Sequence, residues 1–148
     1  MKRAGPLRRV PFKQLVYDAT MRRRVSSGSP WEPRIGFSRA VRSGVHVFVS
    51  GTAPIGPDGK TVGEGDLRAQ TRRCFEVALA ALGELGARVQ DVVRTRVMLT
   101  DITRWEEAAE VHGAYFREVR PASTFVQVSR FIDPAWLVEV ELDAVIEH

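Results

Sequence analysis

Glu139 and Glu141 are the residues whose spacing most directly suggests chemistry. They alternate with Val138, Val140 and Leu142, the period-two pattern of a strand with one buried face. Both carboxylates therefore point away from the valines. Such a face is either solvated or lines a cleft in which one carboxylate works as an acid or base. Arg96 shares a strand face with Arg94 and is a candidate anion contact or an ion-pair partner for these acids; Arg130 is a second. His112 stands beside Tyr115 and Phe116 at helical spacing. It is either a packing residue or a proton carrier in a cleft wall. Ser123 has no nucleophile-elbow context. Cys74 is the only cysteine, so no internal disulfide forms, and its place on an apolar helix stripe makes it a core residue. No cluster has metal-ligand spacing, and the glycines of residues 56–65 lack the endings of a phosphate loop, so neither a metal nor another cofactor is expected.

The elements that must position these residues follow from punctuation and period. Residues 37–42 and 45–50 form a hairpin about Ser43-Gly44, and the chain leaves the sheet at Ser50-Gly51, where backbone can approach a ligand closely. Asp66 caps a helix over residues 67–85 that Gly86 closes; Leu67, Cys74, Val77, Ala78, Ala81 and Leu85 make its apolar stripe. Residues 92–99 form a strand with Val93, Thr95, Val97 and Leu99 on one face. Thr103 and Glu106 are spaced as a capping box that opens a second helix to about residue 118. Its stripe runs through Trp105, Ala108, Val111 or His112, and Tyr115. Residues 120–128 and 137–142 supply the last two strands. Before the hairpin, residues 26–33 are a turn-rich loop anchored by Trp31, after a first short strand ending at Val25. The order is that of one α+β domain, a mixed sheet with two helices packed on one face.

Length and charge narrow the class. The 148 residues suffice for one domain with a real core. No apolar run reaches the roughly 20 residues of a membrane span, and no secretory signal is present; a cytoplasmic protein without membrane contact is expected. The net charge of +4 comes from 22 basic and 18 acidic residues. Residues 1–24 hold eight basic residues and one acid, +7, so the remaining body is −3. Basicity thus belongs to an N-terminal extension, residues 1–21, ahead of a domain over 22–148. The extension has no aromatic interleaving, so a nucleic-acid partner is not expected.

Pro121-Ala122-Ser123-Thr124 followed by Val138-Glu139-Val140-Glu141, with Ile35 to Val41, Val47 to Gly51 and Asp91 to Thr95, resembles the Rid/YjgF family, also called endoribonuclease L-PSP-like. The resemblance implies a chorismate-mutase-like fold and a homotrimer with small-molecule ligands, carboxylates or enamines and imines, in inter-subunit clefts. It implies Glu139 as the acid that positions a hydrolytic water. Ser50 and Gly51 would be the strand-end ligand contacts, and Phe37 would stand where the family usually has tyrosine. Deaminating relatives carry an arginine after Pro-Ala, where this chain has Ser123. The resemblance implies an enzyme or binder that acts on an enamine, imine or related carbonyl compound, without the standard 2-imino acid deamination; the alternatives are an RNA-directed protein, as some relatives are described, and a non-catalytic, chaperone-like trimer. Arg96, His112 and Phe125 complete the expected substrate-binding set.

Overall fold

A computed structural model describes residues 22–147. Its sheet has six strands in the order β1-β2-β3-β6-β4-β5: β1 (Arg23–Val25), β2 (Ala40–Ser43), β3 (His46–Thr52), β4 (Val92–Leu99), β5 (Ala122–Gln127) and β6 (Val138–Val145). Only β4 and β5 run parallel, joined through a helix; β6 lies between β3 and β4, antiparallel to both. Three helices accompany them: α1 (Trp31–Ile35), α2 (Leu67–Glu84) and α3 (Trp105–Phe116). The chain has the expected mixed-sheet α+β fold.

Alternation decides which sheet face is covered. Val138, Val140 and Leu142 are fully buried, with Val47, Val49, Val97 and Leu99 beside them. Against this face lie Leu67, Cys74, Phe75, Ala78 and Leu82 of α2 and Ala108, Val111 and Phe116 of α3. Asp66 accepts from the Ala69 amide at 3.0 Å, and Gly86 takes the left-handed conformation past the end of α2. Gln70, fully buried, donates to the carbonyls of Gly63 and Ala135 and accepts from the Leu137 amide at 2.7 Å. It ties the loop before β6 to α2 and so fixes where β6 begins. The other face carries Phe48, Val126, Glu139, Glu141, Arg94 and Arg96, with no helix of the described residues upon it.

Several expectations need correction. Residues 31–35 are a helix and not a loop, and Trp31 is half exposed. The anchor is Glu32, 4% exposed. It accepts from the Ser26 hydroxyl at 2.6 Å, from the Ser27 amide at 2.8 Å and from the Ser27 hydroxyl. The first hairpin strand begins at Ala40 because Gly36, left-handed at φ 88°, turns the chain out of α1 first. The hairpin turn is Gly44-Val45, since Ser43 pairs with His46. Val93 is exposed: the β4–β6 register shifts between Val92 and Arg94, and this bulge puts Val92 in the core instead. Thr103 caps nothing. Asp101 accepts from the Thr103 amide and starts a 3₁₀ turn that feeds α3, leaving Trp105 exposed. Helix α3 stops at Phe116, and Arg120 adopts φ 55° just before Pro121. The basic extension and His148 lie outside the described residues.

Burial alone raises the Glu32 carboxyl, but the Ser26 and Ser27 donors and the Arg39 charge outweigh it and hold it below the ordinary value of 4.5. The ionised form is thus favoured by folding, so its contribution is present above 4.5 and lost as pH falls below it. Glu32→Gln is expected to cost about 1–3 kcal/mol at neutral pH and to flatten the acid side of a stability-versus-pH curve measured by denaturant unfolding.

Candidate functional site

Bulging and pairing distribute the candidate residues over two places. The first is on the uncovered face. The register of β3 against β6 shifts between Val49 and Thr52, which takes Ser50 and Gly51 out of the regular ladder. Ser50 donates its hydroxyl to the Ser38 carbonyl at 2.6 Å, next in the chain to Phe37, which is 37% exposed. Glu139 projects from β6 toward the bulge. A Cβ built on Gly51 would stand 3.1 Å from Glu139 Oε2, so glycine is what admits the carboxylate here. Burial raises the Glu139 carboxyl, Arg39 opposes the rise and Glu141 adds to it; the net direction is upward.

Arg96 lies on the same face but is held by other acids. Its Nη1 donates to Glu141 at 3.2 Å and to Asp143 at 3.3 Å, the ion-pair alternative, with Asp143 as the added partner. Arg94 lies 3.9 Å from the same Asp143 carboxylate. Arg130 is exposed in the loop between β5 and β6.

The second place lies on the helix-covered face at the β5 edge. Thr95 of β4 pairs with Ser123 of β5, and their hydroxyls are 2.7 Å apart. His112 reaches down from α3, its Nε2 2.9 Å from Thr95 Oγ1 and 3.5 Å from Ser123 Oγ. Phe75, Phe116 and Phe125 surround the imidazole with ring centroids 4.8–5.8 Å away. Burial lowers its pKa, which keeps it neutral at pH 7. The set is therefore uncharged: two hydroxyls and a neutral imidazole.

Ser123 and Glu139 stand on opposite faces of the sheet within one chain, because Glu139 pairs with Met98 and Ser123 with Thr95, neighbours of opposite parity on β4. The structure thus groups Phe37, Ser50, Gly51 and Glu139 apart from His112, Ser123 and Phe125. Two residues that the sequence reading passed over belong here. Thr95 bridges His112 and Ser123, yet alternation presents it only as one more buried position. Arg39 donates to the Gly51 carbonyl from within a stretch noticed for its pattern and not for its charge. Cys74 is fully buried, its thiol pushed far up first by burial and then by Glu139, so no thiolate nucleophile forms there. Among the described residues no group of three His, Cys, Asp or Glu could hold a metal. None of their helices is long and apolar enough to cross a membrane.

Comparison with known proteins identifies the family. The endoribonuclease L-PSP family profile matches residues 29–146. A Mycobacterium tuberculosis protein of the highly conserved YjgF/YER057c/UK114 family has a structure similar at a TM-score of 0.77 and 45% identity, covering 85% of this chain and all of its own. The 3-aminoacrylate deaminase RutC of Acinetobacter baylyi is 32% identical over 113 residues, 76% of this chain and 88% of RutC. The structure of E. coli TdcF with bound serine is similar at a TM-score of 0.70 and 27% identity, covering 84% of this chain and 94% of TdcF. With a matching profile over most of its length and the same fold, the chain belongs to the endoribonuclease L-PSP family, the Rid/YjgF group of proteins.

Proposed function

We propose that this protein hydrolyses a small enamine, imine or related carbonyl compound, with Glu139 as the working carboxylate. The observation that carries the reading is the placement of Glu139: partly buried, its pKa raised, and set against the open backbone of Gly51. A carboxylate made more basic by burial is a better acceptor for a proton from water. As water adds to the C=N carbon, Glu139 takes one of its protons. It passes that proton to the nitrogen to give a neutral carbinolamine, then takes the carbinolamine hydroxyl proton and delivers it to the nitrogen as the C–N bond breaks, so a carbonyl compound and ammonia leave and the carboxylate is regenerated. The relative RutC is named a 3-aminoacrylate deaminase, and 3-aminoacrylate is an enamine, which supports this reading.

The opposed faces bear on assembly. A ligand that touches both Glu139 and Ser123 needs a second copy, with the uncovered face of one chain against the β5 edge of the next. The implied homotrimer supplies such clefts, and exposed Phe48 and Val126 among ion-paired arginines suit a partly polar interface. Size-exclusion chromatography with light scattering is expected to give three chains per particle.

The neutral Thr95-Ser123-His112 set separates this chain from carboxylate-binding relatives. A hydroxyl cannot make the bidentate contact of a guanidinium, so ligands without a carboxylate at that end are favoured. Ser123→Arg is expected to tighten binding of a small carboxylate by at least about tenfold, the effect of roughly 1.4 kcal/mol, in calorimetric titration. Unchanged carboxylate affinity would remove Ser123 from the site. The family description names a ribonuclease, and the charge of residues 1–24 is the feature that could serve RNA. Binding that persists with the same salt dependence after residues 1–24 are deleted would discard that basic arm as the RNA contact.

Glu139→Gln tests the central assignment. Hydrolysis of a small enamine or imine is expected to fall by about 10²–10⁴-fold. An undiminished rate would overturn the reading. The sign on stability is opposite. A raised carboxyl destabilises the fold as pH climbs through its titration, so the variant gains stability at neutral pH and not in acid. Melting temperatures at the two pH values check this.

A further inference from the structure

Arg39 is held more firmly than its place outside the strands suggests. Its amide donates to the Val25 carbonyl at 2.8 Å, and its own carbonyl accepts from the Ser50 amide at 3.0 Å. The backbone is thus fixed from β1 on one side and from the β3 bulge on the other. The side chain then turns to that bulge, where Nη2 donates to the Gly51 carbonyl. Glu139 Oε2 packs against the same glycine. One residue therefore carries the guanidinium on its carbonyl and the carboxylate against its α-carbon.

The remaining surroundings of Arg39 point the same way. Burial opposes its charge, Glu32 supports it most and Glu139 next. Arg39 Nε is buried with no hydrogen-bond partner among the described residues. Leaving such a donor unpaired in the interior is destabilising. A methionine of the same reach would avoid that cost, so packing alone does not account for an arginine here.

We propose that Arg39 is the positioning residue of this site: its guanidinium, backed by Glu32 and tied to the Gly51 carbonyl, fixes the bulge against which Glu139 Oε2 packs and is the counter-charge nearest that carboxylate. The inference rests on Glu139 being the working acid. The groups that face Glu139 are few. Glu141 follows it on β6 and opposes ionisation, and Cys74 on α2 is neutral. Met98, its partner on β4, carries no charge, nor do the β3 residues of the bulge. Arg39 is the nearby group that favours the charged form. Without it, burial and Glu141 would act unopposed, and the carboxyl would titrate higher still.

The test reads titration and not turnover. Glu139 is followed by carbon NMR of its side-chain carboxyl in the full chain. Arg39→Gln is expected to move its midpoint upward, and Arg39→Lys to return it toward the wild-type value. A midpoint unchanged in Arg39→Gln, or raised equally in both variants, overturns the proposal. Should Arg39→Gln fail to fold, the wild type suffices: the Arg39 guanidinium resonances must inflect at the Glu139 midpoint, and Glu139→Gln must abolish that inflection. A flat guanidinium profile overturns the proposal as well. An inert Glu139 would leave these titrations intact, whereas a failed titration with turnover still lost in Glu139→Gln removes only the role of Arg39.

Discussion

The strict alternation of β6 is the constraint on which the rest depends. Val138, Val140, Leu142 and Ala144 are at most 1% exposed, and β6 sits between β3 and β4 with the helices over one face. A slip of one residue would drive Glu139, Glu141 and Asp143 into the apolar layer under α2 and turn four core residues outward. Burying a single unpaired carboxylate costs several kcal/mol after relaxation, against a total stability of about 5–15 kcal/mol. The register is therefore over-determined, and the row of acids on the uncovered face is fixed by the same packing that makes the core.

Along that row the three acids meet different neighbours. Arg96 lies between Glu141 and Asp143, and Arg94 approaches Asp143 as well. These pairs are substantially exposed and each contributes little to stability, but they neutralise two of the three charges. Glu139 lies beyond them, opposite the stretch where β3 departs from its ladder. Its carboxylate meets backbone there and not a paired side chain. A bulge commonly re-aims the chain locally; here it presents Gly51, whose missing Cβ leaves room for the carboxylate.

Much of this was legible in the residues. Period two located β6 and the face of its acids, and Asp66 and Gly86 bracketed α2 because a cap and a left-handed stop are local chemistry. Failures arose where a competing partner, near or far in the chain, overrode the pattern. Thr103 and Glu106 satisfy the capping-box spacing, yet Asp101 lies nearer the turn and accepts the Thr103 amide first. Val93 continues an apparent alternation that the bulge against Ala144 breaks. Trp31 looks like an anchor by size, but the buried partner of the loop is the smaller, charged Glu32, which three donors across five and six residues make tolerable. Arg39 and Thr95 were passed over for the same reason: the role of each is set by residues distant in sequence, Gly51 and Glu139 for one, His112 and Ser123 for the other.

The two faces of this sheet separate apolar packing from ionised groups. The helix face closes around Phe75, Phe116 and the fully buried valines, and even its polar group is neutral. Thr95, Ser123 and His112 satisfy one another without placing a charge near the core, and burial keeps the imidazole uncharged. The opposite face carries the ionised groups, where desolvation is partial and counter-charges are at hand. Placing the acid and the neutral set on the same face would put Glu139 into the aromatic layer beside His112. Its ionised form would then be lost, or a core cation would be needed at far greater cost. Separate faces remove that conflict within one chain.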